Sequence, residues 1–488
     1  MNSSKRYHPL IIGFEIIKLV KNSAFFALFF FVIKAHSQST FILYGRKLFI
    51  PIMILFAISI VIKWFTTKYA TDNTFLYLSK GLFVRTKRTV PFTKIQNIRK
   101  STTVLHRLFG VTSMTLDTGM DGSDSSIEFK VITPKEADQL EKSISTAVSI
   151  EVSNTEKMKE KIIHFSPKKK DLVKAFYTSL SFLVPITVMF TIYTKVSDFI
   201  NLESWGTDFF LKGLLDSWKL QVAAFIVFLV LSVAIGLLWT YLKYGKYEIS
   251  SDDSRIYIKK GFLEETSFTI SKNRVQAIEI KQSVMKRLTG VAEVSLASTG
   301  EVKEADEKDG LNSLFPFVPV EEAHRLAKEI LPEYEIEQGM FPLPKESLWV
   351  SLLKPSWIWL ISTAALTYFQ PELFGFKHAW LVVPIALMVV IVFCRVVSFK
   401  HARYLFNGPF IQLRTGILGT HLFISKRSKV IEAEVTTTRL QRRFGLASIQ
   451  IVNRGNPVQY SGIENIPSEA ASAFYSWYKG RRNEVTIK

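Results

Sequence analysis

The sequence predicts an α+β integral membrane protein: six apolar helices in three hairpins, alternating with three antiparallel sheet domains that each end in a helix. Three observations predict it. Several long runs carry no charge, a frame set by two glycines occurs three times, and basic residues crowd one side of the apolar runs.

The chain has 488 residues, and at roughly 100 to 200 residues per domain it holds several units and not one core. Hydrophobic residues make up 48% and charged residues only 21%, with 39 Phe, 9 Trp and 16 Tyr, so apolar surface is present beyond ordinary cores. Lys and Arg total 62 against 42 Asp and Glu, a net charge of +20, which raises nucleic acid, an anionic membrane surface and a topology signal as explanations. A single cysteine, Cys394, excludes an internal disulfide and any multi-cysteine metal site.

The charge-free runs are Leu48–Ile62, Ala175–Thr194, Leu220–Leu242, Pro355–Pro371 and Ala379–Cys394, with a weaker one at Asn22–Ile33. A helix needs about 20 apolar residues to cross the hydrocarbon layer. The short runs reach that length if Lys18, Lys21 and Lys63 extend to the interface. Two alternatives are that the runs are core helices of a soluble protein, and that residues 1–37 are a signal peptide cut after Ala35-His36-Ser37. The 20 residues of Ala175–Thr194 and 23 of Leu220–Leu242 argue against the first, and pairing of the runs argues against the second. Loops 34–47, 195–219 and 372–378 carry little net positive charge. The opposite side holds Lys5, Arg6, Lys168, Lys169, Lys170, Arg395, Lys400 and Arg403. By the positive-inside rule that side is cytoplasmic and contains both termini and all long polar segments. The basic balance then needs no nucleic acid.

The predicted order is hairpin 1 (1–68), sheet domain 1 (69–146), a basic linker (147–173), hairpin 2 (174–243), sheet domain 2 (244–333), a linker (334–348), hairpin 3 (349–400) and sheet domain 3 (401–482). The domains align without gaps through Gly81 and Gly110, Gly261 and Gly290, Gly416 and Gly445, each pair 29 residues apart. Arg107, Arg287 and Arg442 lie three residues before the second glycine of each pair, and Leu105, Met285 and Leu440 five before it. Alternating segments such as Phe75-Leu-Tyr-Leu and Ile256-Tyr-Ile read as strands. The first glycine sits where two strands meet, so a turn with positive φ is expected. Pro134, Pro319 and Pro467, each followed by acid and alanine, open a closing helix.

This module resembles that of the bacterial membrane proteins with pleckstrin-homology-like (PH-like) domains, the second bacterial PH family, whose YdbT-type members carry three tandem copies. The residues that carry the resemblance are the strand–Gly–strand opening, Ile95-Gln96-Asn97-Ile98 with Val275-Gln276-Ala277-Ile278, and Leu105–Val111 with Met285–Val291. The third copy departs from this pattern at Ile431 and Arg443. The resemblance implies a seven-stranded, strongly bent sheet capped by a C-terminal helix on the cytoplasmic face.

No catalytic, cofactor or metal motif is present, and the histidines lack ligand spacing. The acidic stretch Glu301–Asp309 lacks the periodicity of a calcium loop. Lys80, Arg85, Lys87 and Arg88 are candidate contacts for anionic lipid. This cluster is not repeated, because Glu264, Glu265, Gly419 and Thr420 stand at corresponding places. The six recurrent glycines and three recurrent arginines are expected to be structural, the arginines capping carbonyls. The expected function is a non-enzymatic scaffold or adaptor in the bacterial inner membrane that binds protein partners, anionic phospholipid or its own copies. The alternative is a component of a lipid or small-molecule transport system.

Overall fold

The computed structural model describes residues 4–35, 37, 39–81, 85–95, 97–118, 126–152, 161–179, 187, 218–298, 313–337, 339–371, 378–454 and 458–483. The acidic stretch 301–309 and most of the predicted third span lie outside them. Two compact units emerge: residues 1–161 with 259–271, and residues 162–258 with 272–488.

Each repeat contributes seven strands and one closing helix. The first has β1 (Lys5–Arg6), β2 (Lys68–Thr71), β3 (Phe75–Lys80), β4 (Thr86–Pro91), β5 (Asn97–Thr102), β6 (Thr112–Asp117), β7 (Ser126–Ile132) and the helix Pro134–Val152. The second has β8 (Ile162–Phe165), β9 (Glu248–Ser251), β10 (Arg255–Lys260), β11 (Glu265–Ser271), β12 (Val275–Gln282), β13 (Val291–Ser298), β14 (Ser313–Pro319) and the helix Val320–Ile330. The third has β15 (Phe341–Pro342), β16 (Arg403–Asn407), β17 (Phe410–Thr415), β18 (Thr420–Lys426), β19 (Val430–Thr436), β20 (Leu446–Asn453), β21 (Gln459–Pro467) and the helix Ser468–Lys479.

The first strand of every repeat precedes its helical hairpin and pairs with the second strand beyond it. Lys5 lies opposite Tyr69, Ile162 opposite Ser251 and Phe341 opposite Tyr404. The hairpin is therefore an insertion between the first two strands. The domain boundaries read from the sequence shift accordingly: β8 falls in the expected basic linker, β15 in the second linker, and the helix Pro134–Val152 runs past the expected end at 146. Such two- to four-residue strands carry no alternation to detect, and Pro342 offers no donor, which suits an edge strand.

Among the described residues four helices are long and apolar enough to cross a membrane: Leu10–Ile33, Thr40–Thr66, Ile226–Tyr244 and Ala379–His401. This corrects the expected six. The predicted fifth span, Pro355–Pro371, is shorter than expected: a separate helix, Lys345–Leu353, ends before Pro355, and the run itself forms the helix Trp357–Phe369. The second of these has 13 residues, about 20 Å at 1.5 Å per residue, because proline removes a backbone donor and clashes with the preceding turn. In the first hairpin Gly45 permits close helix approach, since a Cβ there would lie 2.5 Å from the Phe30 ring. Beside it Arg46 donates to the carbonyls of Phe30 and Ala35, at 2.8 and 2.7 Å. That satisfies acceptors which the end of the first helix leaves open.

In the first unit, β1-β2-β3-β4 form one sheet and β7-β6-β5 a second. Alternation in β3 turns Leu76 and Leu78 inward, where they pack with Phe92, Met114, Leu116, Phe129 and the helix residues Ala137, Leu140 and Ile144. The third repeat builds the same core from Ile411, Leu413, Phe423, Ile449, Ile451, Ile463 and Phe474.

Candidate interaction site at the junctions between repeats

The sheets do not stop at the repeat boundary. In the first unit β5 takes as its outer neighbour β11, a strand of the second repeat, with Glu265 opposite Thr102 through Ile270 opposite Asn97. In the second unit β12 takes β18 of the third repeat, with Thr420 opposite Gln282 through Ser425 opposite Ala277. This yields a sheet in the order β14-β13-β12-β18-β17-β16-β15. The two junctions share one register. In each, the residue four places after a repeat's first glycine lies opposite the residue 21 places after the preceding repeat's first glycine.

Both junctions are buried. Ile98, Phe268 and Ile270 close the first, and Ala277, Ile278, Ile280, Phe423 and Ile424 close the second. Full burial of each large apolar side chain stabilises by about 1.5–3 kcal/mol, so these seams are as firm as a domain core. Arg99 lies over the Phe268 ring at 5.7 Å. Lys100 bridges Asp138 and Glu141 at 2.6 and 2.5 Å. Burial disfavours its charge, but hydrogen bonds to those two carboxylates outweigh that and raise its pKa. In the second junction Ser425 donates to the Gln276 carbonyl at 2.9 Å and Thr420 to Gln282 Oε1 at 3.2 Å. Glu279 pairs there with Lys281 and lies 3.7 Å from His421. Burial alone would raise its carboxyl, yet these two groups outweigh burial and hold it at about 2.

The recurrent arginines belong to the same seams. Each sits in a short helix, Val104–Leu108, Val284–Leu288 or Arg439–Arg443, capped by Thr103, Ser283 or Thr438 and ended by the second glycine at φ of 64 to 68°. Arg107 Nη1 donates to the Phe262 carbonyl at 3.1 Å and lies 4.0 Å from Glu265. Arg287 Nη1 is 2.7 Å from His401 Nε2, whose Nδ1 is 2.8 Å from the carbonyl of Ile417, the residue matching Phe262. Arg107 thus reaches the next repeat's hairpin directly and Arg287 reaches it through His401. The Thr or Ser four residues before each arginine was the overlooked local signal, because it fixes the helix that aims the side chain. Among the described residues the Arg442 side chain has no polar partner.

The first glycines open that hairpin with φ of 120°, 92° and 140° at Gly81, Gly261 and Gly416. At Gly416 a Cβ would meet the Gly419 carbonyl at 2.1 Å, so the turn excludes other residues. The four candidate lipid contacts gather on the first repeat's hairpin. Lys80 ends β3, Arg85 precedes β4, and Lys87 and Arg88 stand opposite Ser79 and Leu78. Beside the second junction lies a cavity of about 600 Å³ lined by Ala175, Thr178, Lys281, Lys286, Glu293 and His421 among others. Among the described residues no group of His, Cys, Asp or Glu is placed to hold a metal.

The sequence pattern described as Bacterial PH domain matches residues 24–148, 207–334 and 359–482. The UPF0699 transmembrane protein YdbT of Bacillus subtilis (strain 168) is 23% identical over 500 residues, spanning 98% of each chain. No solved structure matches.

Proposed function

The chain belongs to the bacterial PH domain family in three tandem copies, and from that premise we propose that it is a non-enzymatic, multi-pass scaffold of the bacterial inner membrane. Its termini and PH-like domains face the cytoplasm. The observation that carries this reading is the insertion of an apolar hairpin between the first two strands of each sheet domain. Each domain is thereby anchored to the bilayer at two adjacent strands. Its surface is offered to protein partners and to anionic lipid through Lys80, Arg85, Lys87 and Arg88. Exposed apolar corners agree with a lipid-facing side: Leu108 and Leu288 are 76% and 78% exposed, and Phe109 lies 6.3 Å from Phe14 at the start of the first span. The cavity of about 600 Å³ beside the helix Lys169–Ser179 favours the second reading, a component that handles lipid or a small molecule.

Crosslinking in intact cells followed by identification of retained protein and lipid tests the scaffold. A stoichiometric protein partner supports it, whereas a defined lipid enriched without protein supports the transport reading instead. Topology is checked by cysteine labelling after Cys394→Ala. Ser204→Cys should react from outside the cell, and Glu264→Cys, at an exposed hairpin position, only after permeabilisation.

A further inference from the structure

Among the described residues two strands lack the neighbour that their counterparts have. β4 ends the sheet β1-β2-β3-β4, and β19 ends the sheet β19-β20-β21. By position in the repeat, β4 matches β11 and β18, which pair across a junction, and β19 matches β5 and β12, which receive them. We propose that β19 of one molecule pairs with β4 of a second copy of this chain, in the register of the two internal junctions. The shared register places Thr86 opposite Thr436, Arg88 opposite Glu434, Thr89 opposite Ala433 and Val90 opposite Glu432.

Three observations carry this. First, burial: β12 is buried along most of its length, whereas Glu432, Glu434, Val435 and Thr436 of β19 are exposed. Ile431 and Val435 are 46% and 39% exposed where the matching Gln276 and Ile280 are 6% and 4%. The Ile431 carbonyl accepts from Tyr478 Oη at 2.6 Å and Arg481 Nη1 at 3.3 Å, so among the described residues the open part of the edge is Glu432–Thr436, and an open edge strand is a template for another strand.

Second, charge: β4 carries Lys87 and Arg88 and no acid, and β19 carries Glu432 and Glu434 and no base. Charges on an edge commonly blunt it against aggregation. Here they disfavour β4 on β4 and β19 on β19 while favouring β4 on β19, because opposite charges on facing positions attract and like charges repel. A self-complementary twofold contact is thus disfavoured, and a head-to-tail one selected.

Third, the arginine: Arg107 reaches the following repeat's hairpin directly and Arg287 reaches it through His401, whereas among the described residues the corresponding Arg442 side chain has no polar partner. The Gly81 hairpin of a second molecule supplies it. A head-to-tail contact of this kind propagates into a ring or filament. It is independent of whether the assembly serves as a scaffold.

Membranes of full-length protein in a Cys394→Ala background test it. Chains with Thr89→Cys and chains with Ala433→Cys, carrying different tags, are expressed together and oxidised. The expected result is a disulfide-linked species with both tags, no such species from either variant alone, and a ladder from the double variant. Glu432→Lys with Glu434→Lys should lower the mixed species at least fivefold, and Lys87→Glu with Arg88→Glu on the other chain should restore it, which a folding defect would not allow. The proposal is overturned if the double variant yields only an internally linked monomer. It is equally overturned if maleimide-accessible cysteines never link. If the charge reversals alter retention of anionic phospholipid but leave the disulfide yield unchanged, the edge belongs to lipid and the pairing fails.

Discussion

The inner junctions and the outer edges of this array are made from the same strand positions, yet they end in opposite environments. Ile278 and Ile280 of β12 are 0% and 4% exposed under β18, whereas Val435, which matches Ile280, is 39% exposed on β19. Side-chain type is nearly unchanged between these places. Burial there is set by the arrival of a strand from the next repeat and not by the repeat's own residues. In a repeat array each unit buries its open face only against a neighbour, and the terminal units carry atypical surfaces. In this protein the atypical feature is charge, acidic on β19 and basic on β4.

The largest effect should separate the two environments outright. Ile280→Asp places a carboxylate in a sealed junction and should weaken it by about 4 kcal/mol or more, read as fast amide exchange in β12 and β18 of the detergent-solubilised protein. Val435→Asp should stay within about 0.5 kcal/mol for the isolated chain. Equal effects would break the comparison. A smaller effect follows from Glu279, whose carboxyl is held at about 2 against an ordinary 4.5. A depressed folded value means its contribution is fully present above about pH 4.5 and is lost as pH falls toward 2, by no more than about 3 kcal/mol. Protection of the β18 amides relative to their intrinsic exchange rate should fall over that window, and Glu279→Gln should flatten the response.

Much of this was legible in the chain itself. The paired glycines marked two conformations that only a residue without Cβ adopts freely, and those recur at φ of 120°, 92° and 140° and near 65°. The apolar runs marked the helices, although the run from Pro355 yields a helix of only 13 residues. Three things were not legible. The strands before each hairpin are too short to show a period. The sheet exchange between repeats is hidden because three copies of one frame do not say which copy's strand pairs with which. The partner of Arg107 lies 155 residues away, a distance at which no local pattern operates.

The turn glycines sharpen the comparison at intermediate size. Gly416→Ala forces a Cβ against the Gly419 carbonyl and strains a turn that feeds β18 into the inner junction, an effect of about 2 kcal/mol expected to appear as faster exchange in β12. Gly81→Ala strains the matching turn at φ 120°, but it feeds the outer strand β4. It should therefore leave exchange in both inner junctions at its original rate. A response in β5 or β12 would mean that the outer hairpin is coupled to the inner seams.

The smallest effect isolates the arginines. The Arg107 side chain is 46% exposed, so its hydrogen bond to the Phe262 carbonyl is partly screened, and Arg107→Ala should weaken the first junction by only about 1 kcal/mol. Arg442→Ala removes the same chemical group from the same short helix, where nothing among the described residues receives it. In dilute detergent its effect on amide exchange should be nil, and at membrane density it should lower the yield of the β4–β19 disulfide. Loss of stability in the dilute Arg442→Ala protein would mean that the arginine serves its own turn, and the distinction between inner junction and outer edge would then rest on the strands alone.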